Sequence, residues 1–452
     1  MRFLPIKIVT IFIISLLNIE TGYSQDIDQS LLDFFKHVPE NAKENFSFLL
    51  PDHIIEFLQN GDDRSLGKVV ESSKFTFSRN LAYAAKARVV GDIDESNRYL
   101  QNIINDYDKN KNLTLSALLS QAMLAGNYMQ QNKIKMWVSL SQEIYEETNV
   151  INKIIDGKSI NFGKLLPANF FVSYENVYNT YLEGIKGTVL DIKNIKGDDH
   201  IFFDIYVNND KETSILDTGL YISFFPERFL NRSDVHIIGK SKISDVFGNI
   251  KESYLAQVDS IIIGNVRVKN LLVQISKGIN NIIVGENLLR LFKTIKIDSK
   301  NIYLNRRNIS CQYNLLEGST LNGIYSSPRI SSYIDHVFYN DIIFDLGMAF
   351  DKHTSLLDNN ITPIVFIFGK KEFTKQGKNV KYDTFLEKNI DVIEYRSKND
   401  LILQKNFFGN IGSIYVNKNG GKDYIFINRD MLKLANINID YRNKKICFIS
   451  KK

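Results

Sequence analysis

Cysteine is almost absent from this 452-residue chain: Cys311 and Cys447 are the only two. Neither lies in a CxxC pair, so thiol–disulfide exchange and paired-cysteine zinc sites have no residues to use. Outside the cytosol the two either pair or stay as two thiols, and two cysteines fix no framework. The six histidines are scattered. No HExxH, GxSxG or P-loop glycine run occurs, so zinc-peptidase, serine-hydrolase and nucleotide-phosphate chemistry lack their motifs. His353, in MAFDKHTSLLD, reads as a surface or packing histidine, and Gly420-Gly421 as a hairpin turn. Beyond the N-terminal residues no apolar run is long enough to span a bilayer. No basic stripe occurs either. The formal charge is only +5, with lysines interleaved among acids and asparagines, which is a solvated surface rather than a nucleic-acid footprint. No metal or organic cofactor is expected.

What the chain does contain is an ordinary globular balance, 44% apolar and 24% charged, in a length suited to two or three domains. Residues 1–24 look like a secretory signal. Arg2 and Lys7 precede the short apolar core IVTIFIISLL, and small residues stand at Gly22 and Ser24. Cleavage is expected near Ser24, giving a periplasmic or secreted protein with no membrane span; an uncleaved N-terminal anchor is the alternative. No cysteine at the junction provides for lipid attachment.

Residues 25–165 carry helical periodicity. RNLAYAAKARVVGDIDESNRYLQNIINDY and TLSALLSQAMLAGNYMQQNKIKMWVSLSQEIYEE space their apolar residues by three and four. Ala87-x-x-x-Gly91 and Ala122-x-x-x-Gly126 are offset by 35 residues, which resembles a tetratricopeptide helix–turn–helix repeat. A plain helical bundle is the alternative. A repeat array implies a surface for an extended peptide or protein partner. Trp137, Met123, Met129 and Met136 read as core.

Past residue 184 the texture changes to short runs rich in Ile, Val, Phe and Tyr, broken by Gly, Asn and Asp. HIFFDIYVNND, SIIIGNVRVKNLLVQI and TIKIDSKNIYL predict strands and hairpins. The expected fold is therefore multidomain, a helical repeat-like domain followed by a mainly β body.

Within that body ILDTGLYISFF sets Asp217-Thr218-Gly219 at the end of an apolar strand, and Ile282-Ile283-Val284-Gly285 follows, its glycine 68 residues beyond the aspartate. A short helix, ENLLRLF, and a hairpin, KTIKIDSKNIYL, come next. This order resembles one lobe of a retropepsin-like aspartyl protease, over about residues 185–310. The resemblance implies a catalytic carboxylate at Asp217, loop support from Thr218, Gly219 and Gly285, and a flap at Val246, Phe247, Gly248 and Asn249.

Aspartic-protease chemistry needs two carboxyls. Carboxyls about 3 Å apart share one proton, so that one activates water while the other polarises the scissile carbonyl. IIFDLGMAF supplies Asp345-Leu346-Gly347, and YIFINRDMLKLANINIDYRNKKICFI echoes NIIVGENLLRLFKTIKIDSKNIYL. Residues 311–452 thus read as a second, diverged lobe, with Asp345 as the in-chain partner, as in pepsin-like enzymes. Two departures stand out. Leu346 replaces the hydroxyl residue that braces the opposite loop, so Thr218 loses its symmetric partner, and Asn428 replaces the glycine matching Gly285. No clear second flap is legible. The resemblance implies an aspartic-type endopeptidase acting on extended peptides. The alternatives are pairing of Asp217 with its copy in a second chain, and an inactive envelope protein that binds peptides or proteins.

Overall fold

The computed structural model describes residues 54–73, 76–108, 115–154, 176–184, 187–195, 198–244, 250–305, 311, 313–324, 326–334, 337–347, 364–368, 378–382, 390–403, 406–417 and 424–451. The signal-like segment, the expected flap tip Val246–Asn249, His353 and Gly420-Gly421 lie outside them. The chain divides into two units, Met1–Asn179 with Glu317–Ser326, and Thr180–Leu316 with Ser327–Lys452. Helices come first and a mainly β body follows, as expected. Among the described residues no helix is long and apolar enough to cross a membrane.

The helical unit contains α1 (Ile54–Asn60), α2 (Asp63–Ser72), α3 (Thr76–Val89), α4 (Ile93–Asp108), α5 (Leu115–Gln130) and α6 (Ile134–Ile154). Three turns of one construction join them in pairs. Gly61, Gly91 and Asn132 each take a positive φ, of 64°, 86° and 57°. Each sends its N–H back to the last turn of the preceding helix, and the following residue's N–H does the same: Gly91 to Arg88 and Asp92 to Ala87, Asn132 to Met129 and Lys133 to Tyr128. That cap needs a left-handed residue, which glycine supplies freely and asparagine tolerates. The aspartate after each glycine then opens the next helix, Asp62 Oδ1 accepting from Ser65 N–H and Asp92 Oδ1 from Glu95 N–H.

These turns correct the 35-residue match. Gly91 is a turn residue, but Gly126 lies inside α5, and the turn equivalent to Gly91 is at Asn132. Trp137, Met123 and Met129 are buried as expected, whereas Met136 is exposed.

In the β body, β1 (Tyr181–Glu183), β2 (Thr188–Asp191) and β3 (Lys193–Ile195) precede a set of seven strands. These are β4 (Asp198–Val207), β5 (Asp210–Leu216), β6 (Ser223–Pro226), β7 (Val235–Ser244), β8 (Ile250–Ile263), β9 (Val266–Ser276) and β10 (Ile282–Val284). Helix α7 (Glu286–Leu289), β11 (Thr294–Ile297) and β12 (Asn301–Leu304) complete the set. After β13 (Tyr313–Asn314) and β14 (Leu316–Ser319) comes a second series: β15 (Ser326–Ile334), β16 (Val337–Phe344), β17 (Ile364–Phe368), β18 (Lys378–Tyr382), β19 (Ile390–Leu403), β20 (Asn406–Asn417) and β21 (Tyr424–Ile427). It closes with α8 (Met431–Leu434), β22 (Ala435–Asp440) and β23 (Lys445–Ser450).

The second series repeats the first pairing for pairing. In the first, β4 runs antiparallel to β5, β5 parallel to β10, β10 antiparallel to β6, and β6 parallel to β9. In the second, β15–β16, β16–β21, β21–β17 and β17–β20 follow in the same order and sense. The hairpin β7–β8 has its counterpart in β18–β19, with Lys378 opposite Glu394 and Tyr382 opposite Ile390. This hairpin was not legible as a second flap because the sequence leading into it, FGKKEFTKQGKNVK, reads as an exposed loop or edge strand.

The two series meet in a six-stranded sheet ordered β13-β23-β22-β11-β12-β2. At its centre β11 lies antiparallel to β22, with Lys296 opposite Asn438, so IKID and INID face each other across a local two-fold relation. Cys311 and Cys447 form a disulfide that ties the segment entering β13 to β23. One continuous core joins both series; it includes Leu216, Val284, Phe292, Phe344, Leu346 and Ile437.

Candidate active site

Strand β5 is exposed where it starts and buried where it ends, reaching Asp217 through Ile215 and Leu216. Its parallel neighbour β10 is buried at all three residues, the continuous apolar run that a parallel strand covered on both faces requires. The ladder continues one step past the strand, because Asp217 N–H donates to Val284 O at 3.0 Å. The same step occurs in the second series, where Asp345 N–H donates to Ile427 O at 2.9 Å. Each aspartate is thus fixed by backbone at the mouth of an equivalent parallel pair.

Both loops fold back on their own carboxyls. Asp217 Oδ1 accepts from Gly219 N–H at 2.9 Å and Leu220 N–H at 3.1 Å. Asp345 Oδ1 accepts from Gly347 N–H at 2.9 Å. The glycines are required by the opposite loop rather than by their own conformation. A Cβ on Gly219 would overlap the Asp345 carboxyl, and one on Gly347 would overlap the Asp217 carboxyl. Each carboxyl therefore lies against the other loop's glycine, which sets the two carboxyls side by side. Burial pushes the Asp217 carboxyl well above the usual carboxylate range, and the neighbouring Asp345 charge adds to the rise. The two loop N–H donors favour the charged form and are outweighed.

Thr218 is fully buried and bridges the loops. Its hydroxyl donates to Phe344 O at 3.0 Å and accepts from Leu346 N–H at 2.9 Å. The expected loss of a partner at Leu346 is thus only half of the picture. Thr218 bonds the backbone of the opposite loop, and a leucine at 346 leaves that backbone unchanged. Only the reciprocal bonds, which a hydroxyl at 346 would make toward the first loop, have no group to form them. Leu346 joins the apolar core instead.

Gly285 sits under the Asp217 loop for a steric reason. A Cβ there would come within 2.6 Å of Leu220 O and 2.9 Å of Tyr221 O. The close approach lets Glu286 N–H donate to Leu220 O and Asn287 N–H to Tyr221 O, both at 2.7 Å. At the matching position Asn428 is buried, and its Oδ1 accepts from Asp430 N–H at 2.9 Å, so its amide is engaged by the chain just after it. The residues that would match Leu220 and Tyr221 lie outside the described set.

Two buried polar groups that sequence reasoning passed over support this floor. Asn287 Oδ1 accepts from Ser223 N–H and Oγ–H, while its Nδ2 donates to Leu272 O at 2.7 Å. Ser223 Oγ in turn accepts from Gly285 N–H. Glu286, fully buried, accepts from Arg290 Nε at 2.9 Å and from Tyr441 Oη at 2.7 Å. Tyr441 follows β22, so this carboxylate joins the helix of the first series to the end of the second. The only sequence signal was polar Glu286-Asn287 just after the apolar triplet and Gly285, which reads equally well as an exposed helix start.

No protein-family model matches the chain. No curated protein matches it either. Among solved structures it is similar to a retropepsin-like aspartic protease from Rickettsia conorii, with 18% identity over 28% of this chain and 94% of that one, at a TM-score of 0.21.

Proposed function

We propose that the chain is an aspartic-type endopeptidase whose catalytic pair is Asp217 and Asp345. The observation that carries this reading is the mutual packing of two carboxyls from equivalent loops, each against the other's glycine, with Asp217 held protonated beyond the usual carboxylate range. Two such groups retain one proton between them, since the second ionisation would place like charges side by side.

The ionised carboxyl takes a proton from water as its oxygen bonds the scissile carbonyl carbon. The protonated carboxyl gives its proton to the carbonyl oxygen, forming a neutral geminal diol. Collapse of the diol breaks the C–N bond and returns one proton to the pair, and the proton taken from water goes to the departing amine. Thr218 holds the two loops in register, and Gly219, Gly347 and Gly285 permit the close approach. The hairpin β7–β8, between whose strands Val246–Asn249 fall in the sequence, would close over an extended peptide. The leading signal and the disulfide together favour a periplasmic or secreted site of action.

A second reading, a peptide-binding module without turnover, draws on Leu346, which leaves the brace between the loops one-sided. Cleavage of a mixed peptide library from about pH 3 to 8, with Asp217→Asn and Asp345→Asn alongside, separates the readings. Loss in both variants supports the in-chain pair. Loss with Asp217→Asn alone points to pairing between two chains, and no cleavage by the unaltered protein points to the binding module.

A further inference from the structure

The helical unit includes ten residues from far along the chain, Glu317–Ser326, and the way they are held suggests what that unit does. They include the end of β14, the start of β15 and the turn between them. Gly323, at φ 74°, donates its N–H to Thr320 O, and Asn322 Oδ1 accepts from Thr320 Oγ1 and Ile324 N–H. Below the turn, Ser326 Oγ donates to Glu317 Oε1 at 2.6 Å.

The helices grip this tip by its backbone. Arg88 of α3 is fully buried, and its guanidinium donates to Leu321 O at 2.8 Å and Thr320 O at 2.9 Å. Trp137 of α6 donates its indole N–H to Asn322 O at 3.2 Å. Gly126 of α5 makes room, since a Cβ there would overlap Leu321 O and come within 2.8 Å of both guanidinium nitrogens. Three consecutive carbonyls are thus taken by two side chains over a glycine gap. Burying a guanidinium is costly, and the bonds to these two carbonyls offset part of that cost. This packing therefore makes sense as a permanent seat for the tip, and a partner would have to use another face of the helices.

The seated segment continues along the chain into β15. Ser326 begins β15, which pairs with β16 at Arg329↔Ile343 and Ile330↔Ile342. Ile343 lies two residues before Asp345. We infer that the helical unit positions the Asp345 loop, with Arg88, Gly126 and Trp137 as the residues through which it acts along β15. This rests on the peptidase reading for its catalytic consequence, but not for its structural one.

The test uses the full-length protein with Gly126→Ala, Trp137→Phe, Arg88→Ala and Arg88→Lys. Gly126→Ala is the key variant, because alanine favours the helix itself and its methyl presses on the tip's Leu321 O and on the Arg88 guanidinium that holds it. Amide exchange is followed in β15 and β16 and, for comparison, in β5 and β10. With the peptidase active, a loop shift of about 1 Å predicts a fall in kcat of about a hundredfold with KM nearly unchanged. Exchange in β15 and β16 should rise alongside while β5 and β10 hold, and Arg88→Lys should recover part of the loss. Faster exchange confined to residues 317–326, with kcat unchanged, would overturn the inference. If the unaltered protein cleaves nothing, the peptidase reading fails, and the exchange pattern in β15 and β16 still decides whether the helices hold this loop.

Discussion

Thr218→Val should damage this site more than a single hydroxyl usually would. Valine keeps the shape of threonine and removes only the polar atom, so packing changes little. Two buried backbone groups then lose their partner together, Phe344 C=O and Leu346 N–H. Each unpaired buried group costs about 1–3 kcal/mol, giving a local destabilisation of about 2–6 kcal/mol. Because position 346 is leucine, no second hydroxyl holds the loops while the first is missing. Separation by about 1 Å would lower the cleavage rate about a hundredfold. Thr218→Ser is the control: it keeps both hydrogen bonds and loses one buried methyl, worth about 1 kcal/mol. The chain folds as two units, so a single melting curve averages over both. Exchange of the Leu346 amide is the better assay, since its acceptor is the hydroxyl being removed. If Thr218→Val leaves that amide as protected as Thr218→Ser does, and both cleave at the unaltered rate, the bracing role is refuted.

Gly347→Ala should abolish cleavage by at least about a hundredfold while leaving the fold intact, because the new methyl lands on the Asp217 carboxyl across the site. Near-normal cleavage would show that the loops do not interlock this closely. Replacing Cys311 and Cys447 together by serine opens a cross-link spanning 136 residues. The loop-entropy limit is about 5 kcal/mol and typical losses are about 2–4 kcal/mol; an unchanged urea midpoint with and without reductant would contradict the bridge. Asp217→Asn should gain stability relative to the unaltered protein as pH rises. The folded Asp217 holds a proton that the unfolded chain has released, so stability falls by about 1.4 kcal/mol per pH unit between the ordinary carboxylate pKa and the raised one. Below that window the two proteins converge; a gap that ignores pH would contradict the raised pKa.

Much of the β body was legible because strand order follows local pattern. ILDTG and IIFDLG each announce an apolar strand ending in an aspartate, and the echo of IKID in INID marked the two edges that pair at the centre. What escaped depended on partners distant in the chain. Gly126 looked like a turn glycine by its spacing, and its true neighbour is Leu321, far along the sequence. Arg88 carries no signal of its own in the sequence, and the carbonyls that it binds, of Thr320 and Leu321, come from far along the chain. Leu346 looked damaging because the sequence shows which side chain is missing, and cannot show that Thr218 bonds backbone rather than side chain. Asn428 is similar: its size is visible in the sequence, while its hydrogen bond to Asp430 N–H is set by the local turn.

The central claim is that Asp217 and Asp345 share one proton at neutral pH. Infrared difference spectra of protein carrying 13C-labelled aspartate, unaltered against Asp217→Asn, measure this without relying on turnover. The account predicts a carboxylic-acid band in the unaltered protein that persists above about pH 6, where ordinary aspartates are ionised, and that is missing from Asp217→Asn. Full ionisation of every aspartate by about pH 5 would mean that the two carboxyls act independently, and the shared-proton mechanism would fall.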